Sequence, residues 1–351
     1  MKRRSFLGLC GAALAAVPMR AATPGRLGIG QIGTRHAHAA GKIAAIRAAG
    51  ETWLLAGVVE PDDAQWARVS TTPAYAGVSR LTEVELFADP DVKAVAVETA
   101  MEDSAATALR ALRAGRHVHL DKPGALSHRA FVALRREAEQ RGLVVQMGYM
   151  LRYNPAFVLL AQAVREGWLG EITEIDAVMG KLGSAADRDL LAGLPGGGMV
   201  ELGCHLVDLV VALLGPPSTV TAHATPTRSD GVPDNQTAVL VYPRATAVLR
   251  TNFADPHGFA RRRFSVAGTE GALEIFPLES GNVKLSLRRP AGGHGAGTHA
   301  LTLARAGGRY DGEFADLARA LRSGTPLAWD ATHDIAVHAT TFRAAGLTLD
   351  T

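Results

Sequence analysis

The chain predicts an α/β protein in two parts, a doubly wound parallel sheet followed by a mostly antiparallel one. Three observations support this. Between residues 26 and 145, short aliphatic runs alternate with stretches that are apolar at helical spacing, the pattern of strands joined by crossover helices. Beyond residue 150 the strand-like stretches lengthen and follow one another closely, as hairpins do. At 351 residues and 47% hydrophobic content, the chain is long enough for two ordinary cores.

In order, the first part offers strands at 27–32, 53–59, 94–97, 117–120 and 143–147, with helices at 37–49, 82–88, 105–114 and 128–141 between them. In such a sheet, ligands bind at the carboxyl ends of the strands. The second part offers strands in "EITEIDAVM", "QTAVLVYP", "ATAVLRTNF", "RRFSVAG" and "NVKLSLRRP", a helix over 200–214 and another in "FADLARALRSG". Residues 290–300, "PAGGHGAGTHA", read as a loop without assignable chemistry, and no internal repeat is visible. The expected division is 1–22 as an export signal, 24–147 as the cofactor-binding domain and 148–351 as the substrate-binding and oligomerisation domain.

Residues 1–22 have a basic start, an apolar run from Phe6 to Val17 and small residues at Ala21 and Ala22. Arg3 and Arg4 before Ser5, Phe6 and Leu7 resemble a twin-arginine signal, which implies the twin-arginine export machinery as a partner and a periplasmic or otherwise exported location. An ordinary secretory signal or an anchored helix is the alternative. Net charge is +3, but Lys2, Arg3, Arg4 and Arg20 belong to this segment, so the remainder is slightly acidic and has no nucleic-acid profile. Of the two cysteines, Cys10 would leave with the signal, and Cys204 alone forms no internal disulfide.

"RLGIGQIGTRHAHAAGK" contains G-x-G-x-x-G at Gly28, Gly30 and Gly33. A dinucleotide turn must follow a buried strand, and the segment before Gly28 is too short and holds Pro24 and Gly25. Opening the turn at Gly33 leaves "RLGIGQI" as the strand. Glu60, the acid expected near the adenosine ribose, then lies 27 residues past the turn rather than 32. The literal motif is therefore a false match, and "GTRHAH" is a degraded true turn. Gly33, Thr34, Arg35 and His36 would bind the cofactor; Arg35 and His38 stand where small residues normally let the backbone approach phosphate, so their side chains either contact the phosphates or weaken binding, while the acids at Glu60, Asp62 and Asp63 favour NAD over NADP. His36 and His38 are also two imidazoles one residue apart, but no third ligand can be identified and no metal is assigned.

Two further segments carry chemistry. "AGRHVHLDKPG" sets Asp121 and Lys122 just after a strand, where a lysine can stabilise an alkoxide. "GGGMVELGCHLVDLVVALLG" places Glu201, His205 and Asp208 on one helix face, where a carboxylate can orient a histidine as a general base. A capped amphipathic helix with a solvated polar stripe is the equal alternative. H-E-x-x-H is absent.

These segments together resemble the glucose-fructose oxidoreductase / inositol dehydrogenase / MocA family. "AGRHVHLDKP" is similar to its A-G-K-H-V-x-x-E-K-P element, "GYMLRYNPAF" to the following loop, and the Gly-rich segment to G-G-G-x-x-x-D-x-G-x-H-x-x-D. "VAGTEGALEI" is similar to its later G-T-x-G turn. The matches run in the family's order over most of residues 26–320. The resemblance implies a Rossmann domain, then an α/β domain with an open antiparallel sheet whose exposed face makes dimers or tetramers. It implies that Lys122 contacts nicotinamide ribose and substrate hydroxyl, that His205 takes the proton, and that Glu201 stands for the family's aspartate. Asp121 and Thr99 would lie along the cofactor, and Tyr149, Arg152 and Asp208 near the substrate. Asp121, Glu201, the first turn and "VETAMEDSAA" depart from the family pattern.

The expected activity is an NAD(P)-dependent oxidoreductase acting on a secondary hydroxyl of a sugar, cyclitol or glycoside, with its cofactor tightly held. Redox-neutral glycoside cleavage or elimination is one alternative, and a sugar-binding protein with a decayed cofactor site is another.

Overall fold

The computed structural model describes residues 25–350, so the segment expected to be an export signal lies outside the described residues. The first half runs β1 (Leu27–Ile32), α1 (Ala39–Ala48), β2 (Trp53–Val59), α2 (Asp63–Val69), β3 (Arg80–Leu81), α3 (Glu83–Ala88), β4 (Val92–Val97), α4 (Met101–Arg113), β5 (His117–Asp121), α5 (His128–Gln140) and β6 (Val145–Gly148). All six strands pair in parallel in the order β3-β2-β1-β4-β5-β6. This is the Rossmann order, and it reverses between β1 and β4, so the ligand crevice opens at their carboxyl ends. β4 and β5 bury almost every side chain, as a sheet covered on both faces requires.

Helix starts follow local chemistry. Thr82 and Glu85 form a reciprocal capping box on α3, and Ser127 accepts from Ala130 N–H to cap α5. Sequence patterning missed α2, a short helix after three acids and a proline, and β3, only two residues long.

The second half runs α6 (Pro155–Arg165), β7 (Ile172–Val178), α7 (Ala185–Gly193), α8 (Cys204–Leu214), β8 (Thr219–Pro226), β9 (Pro233–Val241), β10 (Thr246–Asn252), β11 (Arg263–Gly268), β12 (Gly271–Ile275), β13 (Asn282–Leu287), β14 (Gly297–Thr302), α9 (Asp311–Ser323) and α10 (Ala331–Ala344). Its eight-stranded sheet has the order β14-β13-β12-β11-β7-β10-β9-β8. Only β7 and β10 pair in parallel; the other pairs are antiparallel.

The loop expected at 290–300 is corrected: Gly297–Thr302 pair with Asn282–Leu287 as an edge strand. An edge strand held by backbone bonds with both faces largely in water shows no apolar alternation, so its sequence resembles a loop. The helix expected at 200–214 begins instead with a π-helical turn, Met199–Gly203, before α8. One continuous core joins the two sheets, running from Ile29 and Val95 through Phe157 to Phe264 and Leu285.

Candidate active site

The turn after β1 opens at Gly33. Its φ is +86°, and a Cβ there would stand 2.6 Å from the Thr99 Cα, so the position needs glycine for both reasons. Gly28 and Gly30 lie inside β1, where they meet the Asp91 backbone and Leu86. Beside the turn, a cleft of about 640 Å³ runs along the carboxyl ends of β1, β2 and β4, lined by Gly33, Arg35, Glu60, Arg80, Thr99 and Asp103 among others.

Glu60 directly follows β2, is buried, and accepts from the Thr34 N–H (3.1 Å) and Thr34 hydroxyl (2.7 Å). It therefore fixes the turn as well as facing the cleft. Arg35 pairs with Asp62, Arg80 with Asp63 and Arg110 with Glu83, so all three guanidiniums at the cleft carry a counter-ion. The α1 N-terminus has no acidic side chain in its first turn and no capping side chain, leaving its positive dipole end for an anion. A left-handed glycine, an open cleft and an uncapped helix start fit a dinucleotide, with Gly33, Thr34 and Arg35 at the phosphates and Glu60 at the ribose.

His36 does not face that cleft. Its buried imidazole turns inward, with Nδ1 3.4 Å from Asp121 Oδ2 and 3.6 Å from Glu98 Oε2. Burial pushes its pKa down to about 4, with Asp121 opposing, so it is neutral. Asp121 ends β5 and also takes His38 Nδ1 at 3.0 Å. Against the cost of burial, His36, His38 and Lys42 hold Asp121 well below the usual carboxylate range. Glu98 is fully buried beside it, and burial and the Asp121 charge push its pKa well upward. Sequence spacing gave no sign of Glu98, or of the buried Lys42–Glu313 pair that ties α1 to α9.

Lys122 follows Asp121 and is buried. Its Nζ donates to the Glu201 carboxylate at 2.7 Å and to the Glu201 carbonyl at 2.6 Å. Burial works against the ammonium, but Glu201 outweighs it, and the Lys122 pKa rises above the ordinary lysine value. His205, in the first turn of α8, packs edge-on against Tyr149, with ring centroids 5.8 Å apart. Burial, then the charge of Lys122, holds its pKa well below 6.5, so it is a neutral imidazole.

The pairing of Glu201 with His205 expected from i, i+4 spacing is corrected. The π-helical turn takes Glu201 out of the α8 register and sends its carboxylate to Lys122, while His205 Nδ1 is buried without a hydrogen-bond partner. Arg152 and Asp208, expected at the substrate, are committed elsewhere. Arg152 donates to Asp208 (2.6 Å) and Asp334 (2.7 Å), and His333 Nε2 lies 3.1 Å from Asp208. The Arg152 guanidinium also lies 4.8 Å from the Tyr149 ring centre and 4.9 Å from that of Trp329, and Arg152 and Asp208 line a cavity of about 280 Å³.

Comparison with known proteins agrees with this fold. Residues 25–149 match a family model described as "Oxidoreductase family, NAD-binding Rossmann fold", and 157–274 match one described as "GFO/IDH/MocA C-terminal domain". The chain is 28% identical over 216 residues to the uncharacterized oxidoreductase YhhX of Escherichia coli, covering 61% of each chain. It is 29% identical over 192 residues to the trans-1,2-dihydrobenzene-1,2-diol dehydrogenase of Bos taurus, covering 54% of this chain and 57% of that one. These alignments span about three-fifths of the length of the relatives. Among solved structures, UDP-N-acetylglucosamine 3-dehydrogenase GnnA from Acidithiobacillus ferrooxidans superposes with a TM-score of 0.77 at 23% identity, covering 92% of this chain and 97% of that one, which shows the shared fold.

Proposed function

The chain belongs to the Gfo/Idh/MocA family of oxidoreductases, and from that premise we propose that it is an NAD-dependent enzyme interconverting a secondary hydroxyl and a ketone on a sugar-like substrate. One observation carries the reading: a buried Lys122 ammonium, held by Glu201, stands close enough to the neutral, buried His205 to depress its pKa, and the His205 ring lies 6.4 Å from that of His38, just past the Gly33 turn.

Each group has a distinct task. Lys122 donates a hydrogen bond to the substrate oxygen and stabilises the alkoxide as it forms, and Glu201 holds the ammonium in position. His205 accepts the hydroxyl proton, for which a neutral imidazole is competent at physiological pH. Tyr149 packs on His205 and limits its rotation. When bound, the nicotinamide cofactor supplies the hydride acceptor. The carbon thus loses a hydride and the oxygen a proton, leaving a carbonyl. The dihydrodiol dehydrogenase relative is named for a vicinal diol, which supports a polyhydroxylated substrate.

NAD is favoured over NADP because the cleft already holds Glu60, Asp62 and Asp63, and Arg35 and Arg80 are neutralised by the last two. As part of the same proposal, the leader at Arg3 and Arg4 supports export through a route that accepts folded proteins, with the cofactor retained inside, and the chain works as a homo-oligomer. The test is to denature protein purified with its leader intact and identify released nucleotide by mass and absorbance. Stoichiometric NAD is expected. No nucleotide, together with no binding of added NAD or NADP, would overturn the reading.

A further inference from the structure

We propose that His36, His38 and Asp121 form a binding site for a divalent late first-row transition metal ion, with Glu98 beside it, between the segment after β1 and the end of β5. The proposal goes beyond the oxidoreductase reading and stands without it.

The geometry comes first. One donor atom from each of the three residues lies within 4.8 Å of the others. Around Asp121 Oδ2, His38 Nδ1 stands at 3.0 Å and His36 Nδ1 at 3.4 Å. Donors held about 2.0–2.2 Å from a tetrahedral ion stand roughly 3.4 Å from one another, so the set needs little rearrangement to close on an ion. Two imidazoles and one carboxylate select late first-row divalent ions over calcium or magnesium, which prefer all-oxygen shells.

The second observation is independent of those distances. Both carboxylate oxygens of Glu98, which is fully buried, have no hydrogen-bond partner, and neither has His36 Nε2. Buried polar atoms are ordinarily hydrogen-bonded or bound to metal. Two lysines stand nearby and both are already paired: Lys42 is bound to Glu313 and lies 2.9 Å from His119 Nε2 and 3.7 Å from Asp121, and Lys122 is bound to Glu201. An ion at His36 and His38 would meet Asp121 directly and leave Glu98, whose Oε2 is 3.6 Å from the same His36 Nδ1, as a neighbouring carboxylate able to turn to it.

The location suggests use. The His38 ring is 6.4 Å from the His205 ring and 5.5 Å from Tyr310, centre to centre. Three protein ligands leave a coordination position for a substrate oxygen, as catalytic rather than structural sites do.

The test uses the full chain produced without affinity histidines, stripped with chelator and titrated with Zn²⁺ by calorimetry. Wild type is expected to bind about one equivalent. His38→Ala and Asp121→Asn should weaken that binding by at least ~100-fold, and Glu98→Gln, which removes a neighbouring carboxylate, by about 10- to 100-fold. His128→Ala, remote from the cluster, should bind as wild type does. Circular dichroism checks folding, and if Asp121→Asn does not fold, His36→Ala and His38→Ala carry the comparison. Loading with Co²⁺ should give visible absorption of a four-coordinate ion that His36→Ala loses. Wild type binding Zn²⁺ no more tightly than folded His38→Ala, or losing it equally in His128→Ala, would overturn the proposal whether or not NAD is bound.

Discussion

At the scale of single residues, the site separates a proton donor from a proton acceptor by environment. Lys122 is kept charged by Glu201, and His205 is kept neutral by burial and by that same ammonium. Lys122→Ala should lower kcat about 10²- to 10³-fold, the usual loss when a donor to a developing oxyanion is removed, while released-nucleotide analysis still finds cofactor. Unchanged turnover would remove Lys122 from the mechanism. Because the His205 pKa is depressed, it stays a competent base below pH 6.5, so the acid limb of kcat/KM should fall below that value and vanish in His205→Gln. A limb at or above pH 6.5 would contradict the assignment. The Lys122 and His205 positions were legible in the sequence because both sit in short, dense motifs. Their partners were not: Glu201 to Lys122 spans 79 residues, and the contact depends on a π-helical turn that spacing rules do not foresee.

At the scale of elements, the alternating pattern of the first half translated almost directly into strands, with 27–32 and 53–59 found at their expected limits. The shift of the dinucleotide turn from Gly28 to Gly33 was also legible, because a turn needs a strand in front of it. Gly33→Ala would force a left-handed backbone and drive a methyl into Thr99. It should cost roughly 1–3 kcal/mol in urea denaturation and weaken NAD binding, whereas Gly28, inside the strand, bears on stability alone. An equal loss of NAD affinity with no stability change would move the turn elsewhere. The capping box on α3 gives a simpler check: Thr82→Ala should lower stability by about 1 kcal/mol and leave catalysis untouched. Patterning failed for β14 and for α2, since an edge strand and a two-turn helix bury too little for periodicity to show.

At the scale of the whole molecule, buried polar ties join the two halves. Arg152, from the loop after β6, clamps Asp208 on α8 and Asp334 on α10. Arg152→Met would leave two buried carboxylates without their shared cation and should destabilise the fold by about 3–5 kcal/mol. His338 on α10 lies between Phe131 and Phe342 and takes the Ala125 carbonyl at 3.0 Å, which binds α10 to the segment after β5. Burial pushes its pKa down to about 4 from an unfolded value of 6.5. Below 6.5 the unfolded chain gains a proton that the folded one refuses, so this stability is full above pH 6.5 and is lost as pH falls toward 4. The loss is about 3 kcal/mol at most. Urea midpoints should fall across that window in wild type and less steeply in His338→Gln; equal slopes would exclude His338 as the cause.

The sequence by itself determined the alternation of strand and helix in the first half, the place of the turn at Gly33 and the two segments carrying Lys122 and His205, because each depends on residues close together in the chain. Only the tertiary structure decided what those residues face. Asp121 reaches His36 and His38 across 85 and 83 positions, Glu98 joins them from a third strand end, and Arg152 turns to Asp334 rather than to the cleft. The reason is physical: a parallel sheet gathers the ends of strands that are distant in sequence, and burial then decides which charges must pair.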